Sequence, residues 1–163
     1  MIGKKIAMIG AALIMALILS GVVVYAQTTE ASKKFTMDSI DGKALIKIDE
    51  ETTKVVIASL SVKADFWKAF KKVYAFNVTE GTLKIDEKQY QITDGKIAIG
   101  KELYNIVGKL NIRGPESTEF TFLFKGELVY HANGHAYYVI KGLLRNIDGT
   151  TRIGASFLMQ ASR

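Results

Sequence analysis

The sequence predicts a mainly β protein. It reads as an antiparallel meander, closed as a barrel or folded as a sandwich, with one short amphipathic helix and an N-terminal signal or transmembrane segment ahead of it. Three observations carry this. From about residue 34 onward apolar and polar residues alternate with a period of two, the pattern of half-buried strands. Gly, Asn and Asp cut that alternation at short intervals, and Asp41-Gly42, Asp94-Gly95, Asn133-Gly134 and Asp148-Gly149 are hairpin-turn pairs. The chain also opens with Lys4-Lys5 followed by a long uncharged run.

Ile6 to Ala26 is 21 residues without a charge. At about 1.5 Å per residue such a run spans a bilayer core of about 30 Å. Its denser apolar part, Ile6 to Leu19, has the length of a signal-peptide core and is broken by Ser20-Gly21. Val24-Tyr25-Ala26 then places small residues at the cleavage-reading positions before Gln27. Residues 1–26 therefore read either as a cleaved signal peptide or as an uncleaved anchor. Either way the basic end stays inside and the following domain lies outside the cytoplasm, secreted or anchored, despite Lys33 and Lys34. Residues 27–34 form a short linker and 35–163 a single β domain, with no composition shift to divide it. If the segment is uncleaved, the membrane is a partner and the linker holds the domain at its surface.

Strands are expected near Lys34–Ile40, Lys43–Asp49, Val55–Val62, Thr82–Asp86, Gln89–Thr93, Lys96–Ile99, Tyr104–Ile112, Glu119–His131, His135–Asn146 and Thr151–Gln160. Gly114-Pro115 marks a loop. Short sequential strands of this kind favour a meander. One segment departs from the alternation. In Asp65 to Tyr74, Phe66, Trp67, Ala69, Phe70, Val73 and Tyr74 share one arc at 100° per residue, with Lys68, Lys71 and Lys72 opposite. The spacing predicts a helix capped by Asp65. It would cover an open end or face of the sheet, or else lie on an anionic membrane surface or acidic polymer. Trp67, Phe70 and Tyr74 are its candidate surface or ligand contacts.

The last three strands have a testable register. A three-residue loop ending at Gly134 sets Phe122 opposite Leu144 and Leu128 opposite Tyr138. Across Asp148-Gly149, Leu144 then faces Ile153, Ile140 faces Phe157 and Tyr138 faces Met159. A two-residue loop would instead turn the phenylalanines to the other face. The three-residue loop is preferred because it gathers Phe120, Phe122, Phe124, Leu128, Tyr138, Ile140, Leu144, Ile153, Ala155, Phe157 and Met159 on one face. Each large side chain there gains about 1.5–3 kcal/mol on burial. The same register places Lys125 opposite Lys141, which counts against it.

Composition removes whole classes of function. With 48% hydrophobic and 23% charged residues in 163, the chain is neither disordered nor collagen-like. It has no cysteine, which excludes disulfides, thiol nucleophiles and thiolate metal sites. Lys+Arg 22 against Asp+Glu 16 gives +6. The charges are interspersed, so no nucleic-acid partner is expected.

Motifs of chemistry are sparse. Gly95 to Glu102 approaches a phosphate-binding loop, but Glu102 stands where a hydroxyl residue must hold Mg²⁺. His131 and His135 are the two histidines. The preferred loop opposes them across the hairpin, which makes them candidate metal ligands. A stable site wants three or four ligands, however, and solvated turn-flanking histidines are the plainer reading. Asn77-Val78-Thr79 is a glycosylation sequon. Asp49-Glu50-Glu51 and Asp86-Glu87 fall at predicted turns and fit no calcium loop. No nucleophile elbow or triad signature is present, and no cofactor is called for.

The lysine n-region, the segment ending Val-Tyr-Ala-Gln and the Cys-free meander, with Gly81-Thr82-Leu83-Lys84-Ile85-Asp86 and Tyr137-Tyr138-Val139-Ile140-Lys141-Gly142 within it, resemble uncharacterised exported or membrane-anchored β-rich proteins of archaea. The resemblance implies an extracytoplasmic β domain and supplies no functional residues. The expected function is a non-enzymatic domain that binds a small apolar ligand or an envelope protein. A structural or assembly module of the envelope is the alternative, and a carboxylate hydrolase a third reading. An enclosed aromatic cavity would favour ligand binding. A filled interior with an exposed apolar edge would favour assembly.

Overall fold

The computed structural model describes Lys34–Ser162. The segment 1–26 and all but the last residue of the linker lie outside the described residues. Eight strands follow one another: β1 (Lys34–Lys47), β2 (Thr53–Ala69), β3 (Val73–Ile85), β4 (Lys88–Gly100), β5 (Asn105–Arg113), β6 (Glu119–Ala132), β7 (His135–Asn146) and β8 (Arg152–Ser162). Each pairs antiparallel with the next, and β8 returns to β1, from Thr36 opposite Ser162 to Leu45 opposite Gly154. The domain is therefore a closed barrel and not a sandwich.

The expected short helix is not formed. Asp65 to Ala69 continue β2, and Val73-Tyr74 begin β3, joined by a tight reversal in which Phe70 and Val73 exchange backbone hydrogen bonds around Lys71-Lys72. Phe66 pairs with Phe76, but Lys68 pairs with Ala75, so Trp67 is an extra residue in β2. That bulge breaks the two-residue alternation and mimics a helical period in the sequence. A paired strand also satisfies its backbone against β3, which a two-turn helix on the surface would not. Among the described residues the helical structure is one 3-10 turn, Pro115–Ser117.

Two of the expected turns lie within strands, at or beside bulges. Asp41-Gly42 lies inside β1, where the register with β8 shifts between Ser39 and Asp41. Asp94-Gly95 lies inside β4, where the register with β5 shifts between Ile92 and Asp94. Bulges add the twist and curvature that closure of a barrel requires. A hairpin at either place would leave neighbouring strands without partners. The strands expected at 34–40 and 43–49 are thus one, as are those at 89–93 and 96–99.

The last three strands have the expected register and a different loop. Phe122 faces Leu144, Leu128 faces Tyr138, Ile140 faces Phe157 and Tyr138 faces Met159. The turn, however, contains two residues. Ala132 pairs with His135, and Asn133 and Gly134 both have left-handed φ, 51° and 78°. This is the arrangement Asn-Gly favours. The extra residue sits farther down, as a bulge between Leu128 and Tyr130 that restores the inward face. Burying that face outweighs the opposition of Lys125 and Lys141, which does occur on the exposed outer wall. Inward residues of all eight strands form one core, including Phe35, Met37, Leu60, Phe76, Leu83, Ile97, Leu110, Phe122, Tyr138 and Phe157.

Two exposed aspartates tie turns at one end. Asp49 Oδ1 accepts from the N–H of Glu51 (3.0 Å) and of Thr52 (2.7 Å). Asp148 Oδ1 accepts from the N–H (3.0 Å) and hydroxyl (2.8 Å) of Thr150. These bonds hold both carboxyls below their ordinary pKa of 3.8, led by the Glu51 N–H for Asp49 and the Thr150 N–H for Asp148. Because the folded pKa is depressed, the stabilisation is complete well above pH 3.8 and disappears as the pH falls through the lower folded values. Asp49→Asn/Asp148→Asn should be less stable than the parent at neutral pH. The difference should shrink in acid, as urea unfolding across the pH range will report.

Candidate functional site

The two ends of the barrel differ in chemistry. At the end formed by the β1–β2, β3–β4, β5–β6 and β7–β8 connections lies an open cavity of about 1260 Å³. Its apolar lining comes from Ile46, Ile48, Ile85, Tyr90, Phe120 and Ile153. The sequence places these so because all but Ile48, which directly follows β1, are inward or end positions of their strands, and the strand ends converge at the mouth. The Tyr90 and Phe120 rings meet edge to face at 5.4 Å. Burial raises the Tyr90 pKa, so at neutral pH its hydroxyl is an uncharged donor. The rim is charged, with Lys47, Lys54, Lys88 and Arg152 alternating with Asp49, Glu50, Asp86, Glu87 and Glu116.

Closure thus brings the two carboxylate clusters, Asp49-Glu50-Glu51 and Asp86-Glu87, to one rim, a convergence invisible in the sequence. They are exposed, not buried, and Lys54 stands 3.8 Å from Asp86. A general acid needs a raised pKa, whereas that of Asp49 is depressed.

The opposite end carries the residues singled out as surface contacts. The Trp67 bulge lets Trp67 and Lys68 point to the same side. Lys68 Nζ lies 3.9 Å from the Trp67 ring centre and 4.5 Å from that of Phe70, and Lys96 Nζ reaches the Trp67 ring at 4.4 Å. Trp67 and Phe70 are in edge contact at 6.5 Å and are 44% and 48% exposed. Tyr74 is half-buried against the core, with Lys101 Nζ 5.6 Å from its ring. The structure therefore brings Trp67, Phe70 and Tyr74 to one hairpin, held by strand pairing instead of a helix.

His131 and His135 do not oppose one another. His131 pairs with Ala136 and His135 with Ala132, so the two-residue turn sends the imidazoles to opposite faces. His135 Nδ1 is 2.6 Å from Ser162 Oγ. Among the described residues no cluster of three or more His, Asp or Glu is arranged to hold a metal ion. Asn77 is half-buried within β3, between Asp65 and Lys96. The phosphate-loop-like stretch is the second half of β4 with its turn, and Gly95 is paired there with Val78 and Leu110.

Mid-strand positions on the outer wall include Lys63, Lys96, Lys109, Lys125 and Lys141, all exposed. The interior is apolar. A membrane-spanning barrel has the reverse arrangement, an outward apolar belt around a polar interior. Among the described residues no helix is long and apolar enough to cross a membrane. No family model, curated protein or solved structure matches this chain.

Proposed function

We propose that this chain is a non-enzymatic binding domain of the cell envelope, lying outside the cytoplasm, that takes one small, mainly apolar ligand with a polar end into the barrel mouth. The cavity of about 1260 Å³ carries this reading. Eight strands give a barrel that either just fills or holds one small ligand. Binding sites of this kind join an apolar wall to a few polar groups. Tyr90, Phe120 and Ile153 supply the wall, the Tyr90 hydroxyl a donor, and the rim lysines and carboxylates a seat for the polar end. The uncharged run from Ile6 to Ala26 behind Lys4-Lys5, and the resemblance to exported archaeal proteins, support the location.

The test is the mass of the full chain purified from the organism that makes it, measured under native and then denaturing conditions. A defined small increment should be present natively and lost on denaturation. It should also be lost in Thr151→Trp, which puts an indole into the mouth. A native mass equal to the denatured one, or an increment indifferent to Thr151→Trp, would sink the reading.

Two observations favour the assembly alternative: the cavity is open above an interior filled by the core, and the outer wall carries an apolar patch. Leu45 and Val55 face each other on the outer wall, beside an Ile57 that is 81% exposed, an apolar patch of the kind protein contacts cover. That reading requires a reproducible oligomer or envelope co-complex.

A further inference from the structure

We infer that the barrel end opposite the mouth is a docking face for an anionic lipid surface. The inference rests on the envelope reading above, with residues 6–26 retained in the bilayer. Four features coincide at this end. The first is where the chain enters: β1 starts here, at Lys34. Residues 27–33 separate it from the apolar run and reach about 25 Å at most, at about 3.5 Å each. The chain thus enters the barrel at this end and not at the mouth.

Exposed aromatic side chains make the second feature. Trp67 and Phe70 stand at the β2–β3 reversal, Tyr104 at the β4–β5 turn, and Tyr130 near the β6–β7 turn. Tyr and Trp are the residues that settle at the headgroup level of a bilayer, with an apolar body and a polar edge. Third is charge. Lys68, Lys71, Lys72, Lys96 and Lys101 surround the rings, against Asp65, Glu102 and, farther round, Glu127. The Lys68 and Lys96 ammonium groups lie over the Trp67 ring, so cation and ring can meet a headgroup and its acyl boundary together.

The fourth feature is rigidity. Lys101 donates its N–H to the carbonyl of Lys72 at 2.9 Å, locking the β2–β3 and β4–β5 turns to one another. The face is thus formed before it meets a membrane, and docking does not have to order it. With this end on the lipid, the mouth opens away from the membrane, into the surrounding medium.

Trp67 is the single tryptophan of the chain, so its fluorescence reports on this face alone. The full chain is reconstituted into vesicles of phosphatidylcholine with or without phosphatidylglycerol, in each case with some acyl chains brominated. In anionic vesicles Trp67 should be quenched by bromine and shielded from acrylamide. In phosphatidylcholine alone it should be accessible to acrylamide. Each lysine near an anionic surface shifts the docked-to-free ratio about fivefold, so Lys68→Gln/Lys71→Gln/Lys72→Gln should lower it about a hundredfold. Raising the salt on the unaltered chain should release docking without any substitution.

A chain that floats with vesicles but keeps Trp67 open to acrylamide in both lipids overturns the inference and leaves the anchor intact. Equal quenching in both lipids, indifferent to the triple variant, overturns the anionic-lipid assignment. Shielding that follows protein density and not lipid charge assigns the face to a second copy of the chain. A chain that does not float at all overturns docking and anchor together.

Discussion

Phe122→Ala should cost the barrel about 3–5 kcal/mol, the range for deleting a buried aromatic ring. Phe122 is fully enclosed. Its ring stacks on Phe124 at 5.8 Å and meets Phe157 edge-on at 6.1 Å, so it joins the inward faces of β6 and β8. The strand between them, β7, offers Gly142 beneath the ring, and glycine has no side chain with which to refill the space. The void would therefore persist, and its lining would lose contacts outright. Urea unfolding followed by far-ultraviolet circular dichroism measures the loss. An unchanged midpoint would mean that the ring does not belong to the core. Phe122→Leu should lose less, because it keeps most of the volume.

Gly142→Val should be destabilising for the opposite reason. A Cβ at residue 142 would run into the Phe122 ring and approach the Leu123 carbonyl oxygen at 2.8 Å. The ring is confined by its neighbours, and the carbonyl belongs to the paired backbone of β6. Overpacking of this kind costs about 1–3 kcal/mol, and the fixed carbonyl puts the expected value at the upper end. The two changes should not add. In Phe122→Ala/Gly142→Val the valine enters the space the ring has left, so the double variant should lose less than the sum of the singles. Simple additivity in the unfolding data would show that the two residues do not share one space.

Those two residues also show what the sequence discloses. Phe122 was legible as inward-facing because β6, β7 and β8 each keep a two-residue period over many positions, and only one register buries all their large side chains. Local irregularities were not. One extra residue at Trp67 converts alternation into an apparent helical period, and Asp94-Gly95 has the composition of a turn while lying within β4 beside a bulge. Closure was illegible because it depends on pairing the first strand with the last, and no local pattern records that. The mouth was illegible for the same reason. Ile85, Tyr90, Phe120 and Ile153 lie on different strands and meet only once the barrel is closed. The cluster of Trp67, Phe70 and Tyr74 with lysines is legible in the composition, but its backbone is a strand hairpin and not the helix that the spacing predicts.

The pairing of Thr36 with Ser162 has a consequence in time. β1 is the first strand of the domain to be made and β8 the last. At about 5–20 residues per second, β1 waits on the order of ten seconds for its second partner. Until then the meander is an open ribbon with two unpaired borders, and it cannot lock. Only release of the final strand completes the ring. A chain halted short of β8 would keep β1 and β7 permanently open to edge pairing with other chains.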